Sequence, residues 1–132
     1  MRYSQTDENA AATADCLIID CFGLLSSIYQ YGQIAYIGGG FGVGIHNVPE
    51  AAVYGIPVIF GPNYKKFREA KTLTAAGGAF SINDISEFEA LMKHLENDPS
   101  YRLQCGEIAA KYIYSNTGAT KKILDDIAPV LQ

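Results

Sequence analysis

The chain has 132 residues, 48% of them hydrophobic and 18% charged, which suits one domain with its own core and excludes the disordered class. Ten basic against fourteen acidic residues give a formal net charge of -4, so the overall basic footprint of a nucleic-acid binder is absent. Three cysteines, Cys16, Cys21 and Cys105, form no CxxC pair, which argues against a zinc site and a disulfide framework and for a reducing, cytoplasmic setting.

In chain order, "MRYSQTDENAAATAD" is polar and lacks the apolar segment of a secretory signal, and no stretch has the apolar length of a membrane span. "CLIID" at 16–20 reads as a buried strand ending in Asp20, and "LLSSIYQYG" as two helical turns stopped by Gly32. A second strand, "IAYIGG" at 34–39, empties into a glycine cluster. "NVPEAAVYG" predicts a helix of two to three turns closed by Gly55, and "IPVIFGP" a third strand closed by a Gly-Pro turn. "KKFREAKTLTAAG" suits a helix ending at Gly77 and Gly78, followed by the short strand "AFSI".

"SEFEALMKHLEND" sets Ser86 and Glu89 at capping-box spacing and repeats Phe88, Leu91, Met92 and Leu95 at i, i+3, i+4 and i+7, the apolar stripe of a helix. Pro99 ends it; "SYRLQCGEIAAKYIYSN" and "GATKKILDDIAPVLQ" predict two more helices. Strands alternating with helices imply βαβ units, so the expected class is α/β: a Rossmann-like parallel sheet with flanking helices, as one domain over 1–132. In such sheets ligands sit beyond the carboxyl ends of the strands, which is where the glycines fall.

Five of the 13 glycines, Gly38, Gly39, Gly40, Gly42 and Gly44, occupy seven consecutive positions. No GxGxxG fits this stretch, and a P-loop Lys-Ser/Thr is absent. The shared physics of those motifs is present: glycine backbone can approach a ligand closely, and the first turn of the following helix offers unsatisfied N–H groups to an anion such as a phosphate. "Asn47-Val48-Pro49-Glu50" has two readings. In one Asn47 caps the helix, Pro49 fills the first turn and Glu50 reaches back; in the other Glu50 accepts hydrogen bonds from ribose hydroxyls. His46 has no Asp or Cys partner at catalytic spacing, and His94 falls on a helix surface. Two histidines and scattered carboxylates offer no metal-ligand spacing. Lys65, Lys66, Arg68 and Lys71 make one basic cluster, read as a solvated helix face or as a contact for a phosphate or an acidic lipid surface.

The stretch "IAYIGG…GIHNVPEAAVYGIPVIFGPNYKKF" resembles the C-terminal half of the bacterial 3-deoxy-D-manno-octulosonic acid (Kdo) transferases, above all in Gly-x-His-Asn-x-x-Glu-Ala-Ala followed by Gly-x-Pro-Val and Gly-Pro. The similarity runs from about Asp20 to the end, with an Asn-x-Gly at 116–118. The resemblance implies the GT-B glycosyltransferase fold, represented here by its C-terminal, donor-nucleotide half without that half's first strand. It implies CMP-Kdo as donor, a lipid A precursor as acceptor and a place on the cytoplasmic side of the inner membrane as a peripheral protein of lipopolysaccharide biosynthesis.

By position it implies that Gly38, Gly39, Gly44, Ile45, His46 and Asn47 surround the CMP phosphate and that Glu50 holds the ribose. "DCFGLLSSIYQYG" matches an Asp-Thr-x-Gly-Glu-Leu segment, which implies that Asp20 and Gly23 lie near the nucleotide, although Cys21 replaces the Thr and Leu24 the Glu. Ile45 replaces a second glycine before His46, and Lys66 stands where an Asn is common before Phe67. The family's general base belongs to the other half, so no catalytic residue, metal or cofactor is expected in this chain. Open sheet edges point to pairing with a second copy. A GT-B enzyme using a UDP sugar and a non-catalytic nucleotide-binding or interaction module are the rival readings.

Overall fold

Three short apolar runs pair as a parallel sheet in the order β1-β2-β3: β1 (Ala35–Ile37), β2 (Val58–Phe60) and β3 (Ala79–Ser81). Ala35 stands opposite Val58, and Val58 opposite Ala79. The computed structural model describes residues 1–118 and 125–130 and divides into two units, Met1–Tyr31 and Gly32–Gln132.

In the second unit β2 is the central strand, and Val58, Ile59 and Phe60 are all fully buried, as expected for a strand covered on both faces. Ile59 joins Ile82 and Leu95 in a core cluster, with Phe80, Phe88, Leu91, Met92 and Tyr101 packed around it. The crossovers are α3 (Pro49–Ala52) between β1 and β2, and α4 (Arg68–Ala76) between β2 and β3. After β3 come α5 (Ile85–Asn97) and α6 (Pro99–Ser115), which share Asp98 as a boundary; its carboxylate accepts from the Tyr101 N–H at 2.9 Å and starts α6 at Pro99. α6 packs against α3, α4 and α5. The α/β class and the parallel sheet with flanking helices are therefore as the pattern predicts.

The local differences have physical causes. α3 is four residues long, and its continuation to Gly55 is a series of turns in which Tyr54 and Gly55 N–H groups reach back only three residues, to Ala51 and Ala52. α5 starts one residue before Ser86. Asp84, in extended backbone, accepts from the Glu87 N–H at 2.9 Å, and Glu87 reaches back to the Asn83 N–H at 2.7 Å, so the box is Asp84–Glu87 rather than Ser86–Glu89. α4 ends at Gly77 with φ +89°, where the glycine pair predicts its end.

In the first unit "CLIID" is no strand: Ile18 makes one parallel bridge to Arg2, with Tyr3 N–H donating to Ile18 O and Ile18 N–H to Met1 O. An apolar run becomes a strand only with a ladder beside it, and here the ladder is a single rung. The polar start carries a short helix, α1 (Glu8–Ala12), capped by Asp7 accepting from the Ala10 N–H at 2.9 Å. α2 (Leu25–Ile28) continues as a 3-10 turn to Tyr31. Of the last expected helix, residues 125–130 are helical, Gly118 lies in a turn, and residues 119–124, 131 and 132 lie outside the described residues.

Candidate functional site

β1 delivers the chain into residues 38–47, and a set of backbone bonds folds that loop onto itself. His46 N–H donates to Gly38 O at 3.0 Å; Gly42 and Gly44 N–H groups both donate to Gly39 O, at 3.0 and 3.2 Å. Gly39 has φ +87°, and a Cβ there would collide with the Gly44 carbonyl oxygen, so the fold of the loop requires glycine at this point. Gly40 and Gly61 touch backbone to backbone, a Cβ on Gly40 falling 2.6 Å from the Gly61 Cα, which brings the loop exits of β1 and β2 together. Asn63 then fastens the pair: its N–H donates to Gly40 O at 2.9 Å and its side-chain amide to Gly42 O.

The alternation after the glycines sorts side chains. Ile45 and Val48 are buried, while His46 and Asn47 between them are exposed. The two apolar anchors hold the intervening backbone against the core. Beside them a depression of about 460 Å³ is lined by Ile45, His46, Asn47, Val48, Pro49, Phe67, Glu69 and Ala70. Among the described residues the N–H groups of Asn47 and Val48 have no acceptor, so two amide donors in this segment are free for a ligand. With α3 only four residues long, a summed helix dipole contributes little; the donors act as individual amides.

The structure thus brings Ile45, His46 and Asn47 together at one depression. Gly38, Gly39 and Gly44 support it rather than line it: the His46 ring lies over Gly38 and Gly39, and Gly44 faces the Phe67 ring. Both readings of Asn47 and Glu50 keep something. Asn47 Oδ1 accepts from the Glu50 N–H at a long 3.4 Å, a weak cap, whereas the Glu50 carboxylate bonds to no described residue and stands half-buried just beyond the depression. Phe67, Glu69 and Ala70, brought in by the start of α4, are lining residues that sequence reasoning does not pick out as site residues. Their signal is topological: in a parallel sheet the first turn after β2 stands beside the first turn after β1.

Asp20 and Gly23 belong to the first unit. There the Asp20 carboxylate accepts from the Ser4 hydroxyl at 2.6 Å and from the Ser4 N–H at 2.9 Å, and these bonds hold its pKa below the ordinary carboxylate value. Gly23 is exposed with φ +86°. Burial pushes the Cys105 thiol up, with Tyr101 beside it opposing in part. Among the described residues no group of three or more His, Cys, Asp or Glu could hold a metal ion, and no helix is long and apolar enough to cross a membrane.

No family model matches the chain. Similar curated proteins do. The 3-deoxy-D-manno-octulosonic acid transferase of Aquifex aeolicus is 36% identical over 83 residues, 61% of this chain and 24% of that protein. The transferase of the same name from Bordetella pertussis is 32% identical over 113 residues, 84% of this chain and 26% of that protein. That of Rickettsia prowazekii is 31% identical over 121 residues, 89% of this chain and 26% of that protein. This chain is a relative of the 3-deoxy-D-manno-octulosonic acid transferases. It spans about a quarter of the length of those curated Kdo transferases. Among solved structures, the C-terminal CMP-Kdo binding domain of WaaA from Acinetobacter baumannii superposes with a TM-score of 0.66 at 22% identity, covering 76% of this chain and 53% of that one. The parallel sheet with flanking helices is accordingly a fold that this chain shares with that domain.

Proposed function

We propose that this chain supplies the donor-binding half of a glycosyltransferase that moves Kdo from CMP-Kdo to a lipid A precursor in lipopolysaccharide biosynthesis. The observation that carries the reading is the pair of free amides at Asn47 and Val48, beside a depression at the carboxyl end of β1, in a relative of the Kdo transferases. The CMP phosphate sits against residues 44–48, with Gly38 and Gly39 beneath the His46 ring. Glu50, its carboxylate uncommitted within the fold, accepts hydrogen bonds from the ribose hydroxyls.

In the reaction a lipid A hydroxyl attacks the anomeric carbon and CMP departs, leaving negative charge on its phosphate. Amides already aimed at that charge stabilise the transition state more than the ground state, and losing one such donor costs about 3 kcal/mol in comparable sites. The general base and the acceptor contacts come from the other half of the enzyme, so the chain alone binds nucleotide and turns nothing over. The intact enzyme is a peripheral protein of the cytoplasmic face of the inner membrane. A second copy of the chain pairs at the open edge of β1.

Titration calorimetry of CMP against the chain and against Glu50→Ala tests the assignment. The expected result is a roughly tenfold loss of affinity in the variant, the worth of a hydrogen bond to a charged acceptor, with the melting temperature unchanged. Equal affinity in the two proteins would take the ribose away from Glu50. Tighter binding of UDP than of CMP would move the chain to a UDP-sugar enzyme, and binding of neither would leave an interaction module.

A further inference from the structure

Four of the ten basic residues fall within residues 65–71, against the single acid Glu69, in a chain whose formal net charge is -4. Lys65, Lys66, Arg68 and Lys71 are all exposed, and among the described residues none of them forms an ion pair. Glu69 lines the depression of residues 45–49 instead. The placement works against the fold. Lys65, Lys66 and Arg68 lie just before and at the first residue of α4, a nine-residue helix whose N-terminus favours negative charge. Three cations there oppose the helix dipole unless something negative covers them.

The same corner is apolar at its tip. Val43 is fully exposed and lines, with Pro62, Asn63, Lys65 and Lys66, a depression of about 290 Å³; Phe41, two residues earlier, is more than half exposed. Lys65 also lines a neighbouring depression of about 340 Å³ with Tyr64, Lys71, Thr74 and Ala75. Apolar side chains at a loop tip ringed by unpaired lysines match a lipid interface, where the tip enters the headgroup layer and the cations meet lipid phosphates.

We propose that Val43, Lys65, Lys66 and Lys71 form a docking surface for an anionic phospholipid bilayer, with Val43 entering the headgroup region and α4 directed by its N-terminus toward the lipid phosphates. The proposal rests on the peripheral-membrane part of the reading above and adds the contact surface. Charge complementarity selects the occupant: the patch is cationic on an acidic protein, and a fully exposed Val43 suits an extended apolar-polar boundary better than a small soluble anion.

The test is co-sedimentation of the full chain with vesicles of phosphatidylcholine alone and with about a third phosphatidylglycerol, at low and high salt. The chain is expected to bind the anionic vesicles, to release at high salt, and to lose roughly fivefold in partitioning for each of Lys65→Gln, Lys66→Gln and Lys71→Gln. Val43→Ser lowers binding without altering its salt dependence. All four positions are exposed, so melting temperatures do not fall, those of Lys65→Gln and Lys66→Gln rising slightly as the helix N-terminus loses a cation, and CMP affinity is expected to stay at the unsubstituted value in every variant. Anionic-vesicle binding unaffected by the lysine changes overturns this surface while leaving membrane association standing elsewhere on the chain. No binding to either vesicle overturns it as well, and fractionation of the intact enzyme then decides whether the other half carries membrane contact. Loss of CMP affinity in the lysine variants, with CMP displacing the vesicles, reassigns the patch to the soluble nucleotide.

Discussion

Gly39 shows how one residue decides the site. Its φ of +87° is strained for any L side chain, and its Cβ position is taken by the Gly44 carbonyl, so Gly39→Ala must unwind the turn that sets Ile45 inward and His46 outward. The expected loss is about 3 kcal/mol in urea unfolding. Gly42→Ala is the control: φ there is not positive and the added methyl meets Gly39 O at an ordinary 3.7 Å, so stability changes by less than about 0.5 kcal/mol. If Gly39→Ala behaves like Gly42→Ala, the loop is not held as described. The glycine cluster and the His-Asn segment were legible in the sequence because composition marks them; which glycine bears the strain was not, since that depends on a carbonyl five residues away. Phe67 and Glu69 were out of reach for the same reason, coming to the depression through the pairing of β1 with β2 rather than through nearness in sequence.

At the scale of elements, the start of α5 separates pattern from energetics. Both Asp84-x-x-Glu87 and Ser86-x-x-Glu89 have the spacing of a capping box, and the sequence offers no reason to prefer one. The earlier start wins because it engages more groups: Glu87 accepts from the Asn83 N–H at 2.7 Å and also from the Asn83 side-chain amide at 3.0 Å, bonds that a start at Ser86 forgoes. Asp84→Ala therefore lowers stability by about 1 kcal/mol in thermal or urea unfolding, and Ser86→Ala changes it by less than about 0.5 kcal/mol. The reverse order of effects would restore the Ser86 cap. The three strands of the second unit were readable for a complementary reason: each is an apolar run bounded by glycine, proline or polar turns, and each finds a neighbour. "CLIID" has the same composition with only Arg2 for a partner at Ile18, and strand formation is a property of the pair that composition does not carry.

For the molecule as a whole, the open side of the sheet is where the proposed pairing of two copies can be tested. The Ala35 N–H donates to Pro57 O at 3.0 Å, on the β2 side, so by the alternation of a parallel ladder the N–H and C=O of Tyr36 face the outer edge of β1. Tyr36, Phe41 and Ile85 beside that edge are exposed, and with Ile82, Asp84 and Phe88 they line an apolar depression of about 320 Å³. Unpaired backbone next to exposed aromatic surface is the combination that recruits another strand, and a second copy of β1 offers the same edge about a two-fold axis. Sedimentation velocity is expected to show a mean mass that rises reversibly with concentration in the unsubstituted chain. Tyr36→Lys sets a charge at the edge and returns the chain to a monomer. The substitution also removes the edge-to-face contact of Tyr36 with Phe88, ring centres 6.1 Å apart, a loss of about 0.5–1.5 kcal/mol. Phe88→Leu removes the same contact without touching the edge, and so separates the two effects: it lowers the melting temperature while the concentration-dependent mass persists. A chain that stays monomeric throughout, or a Phe88→Leu variant that dissociates as readily as Tyr36→Lys, would leave the β1 edge without a role in self-association.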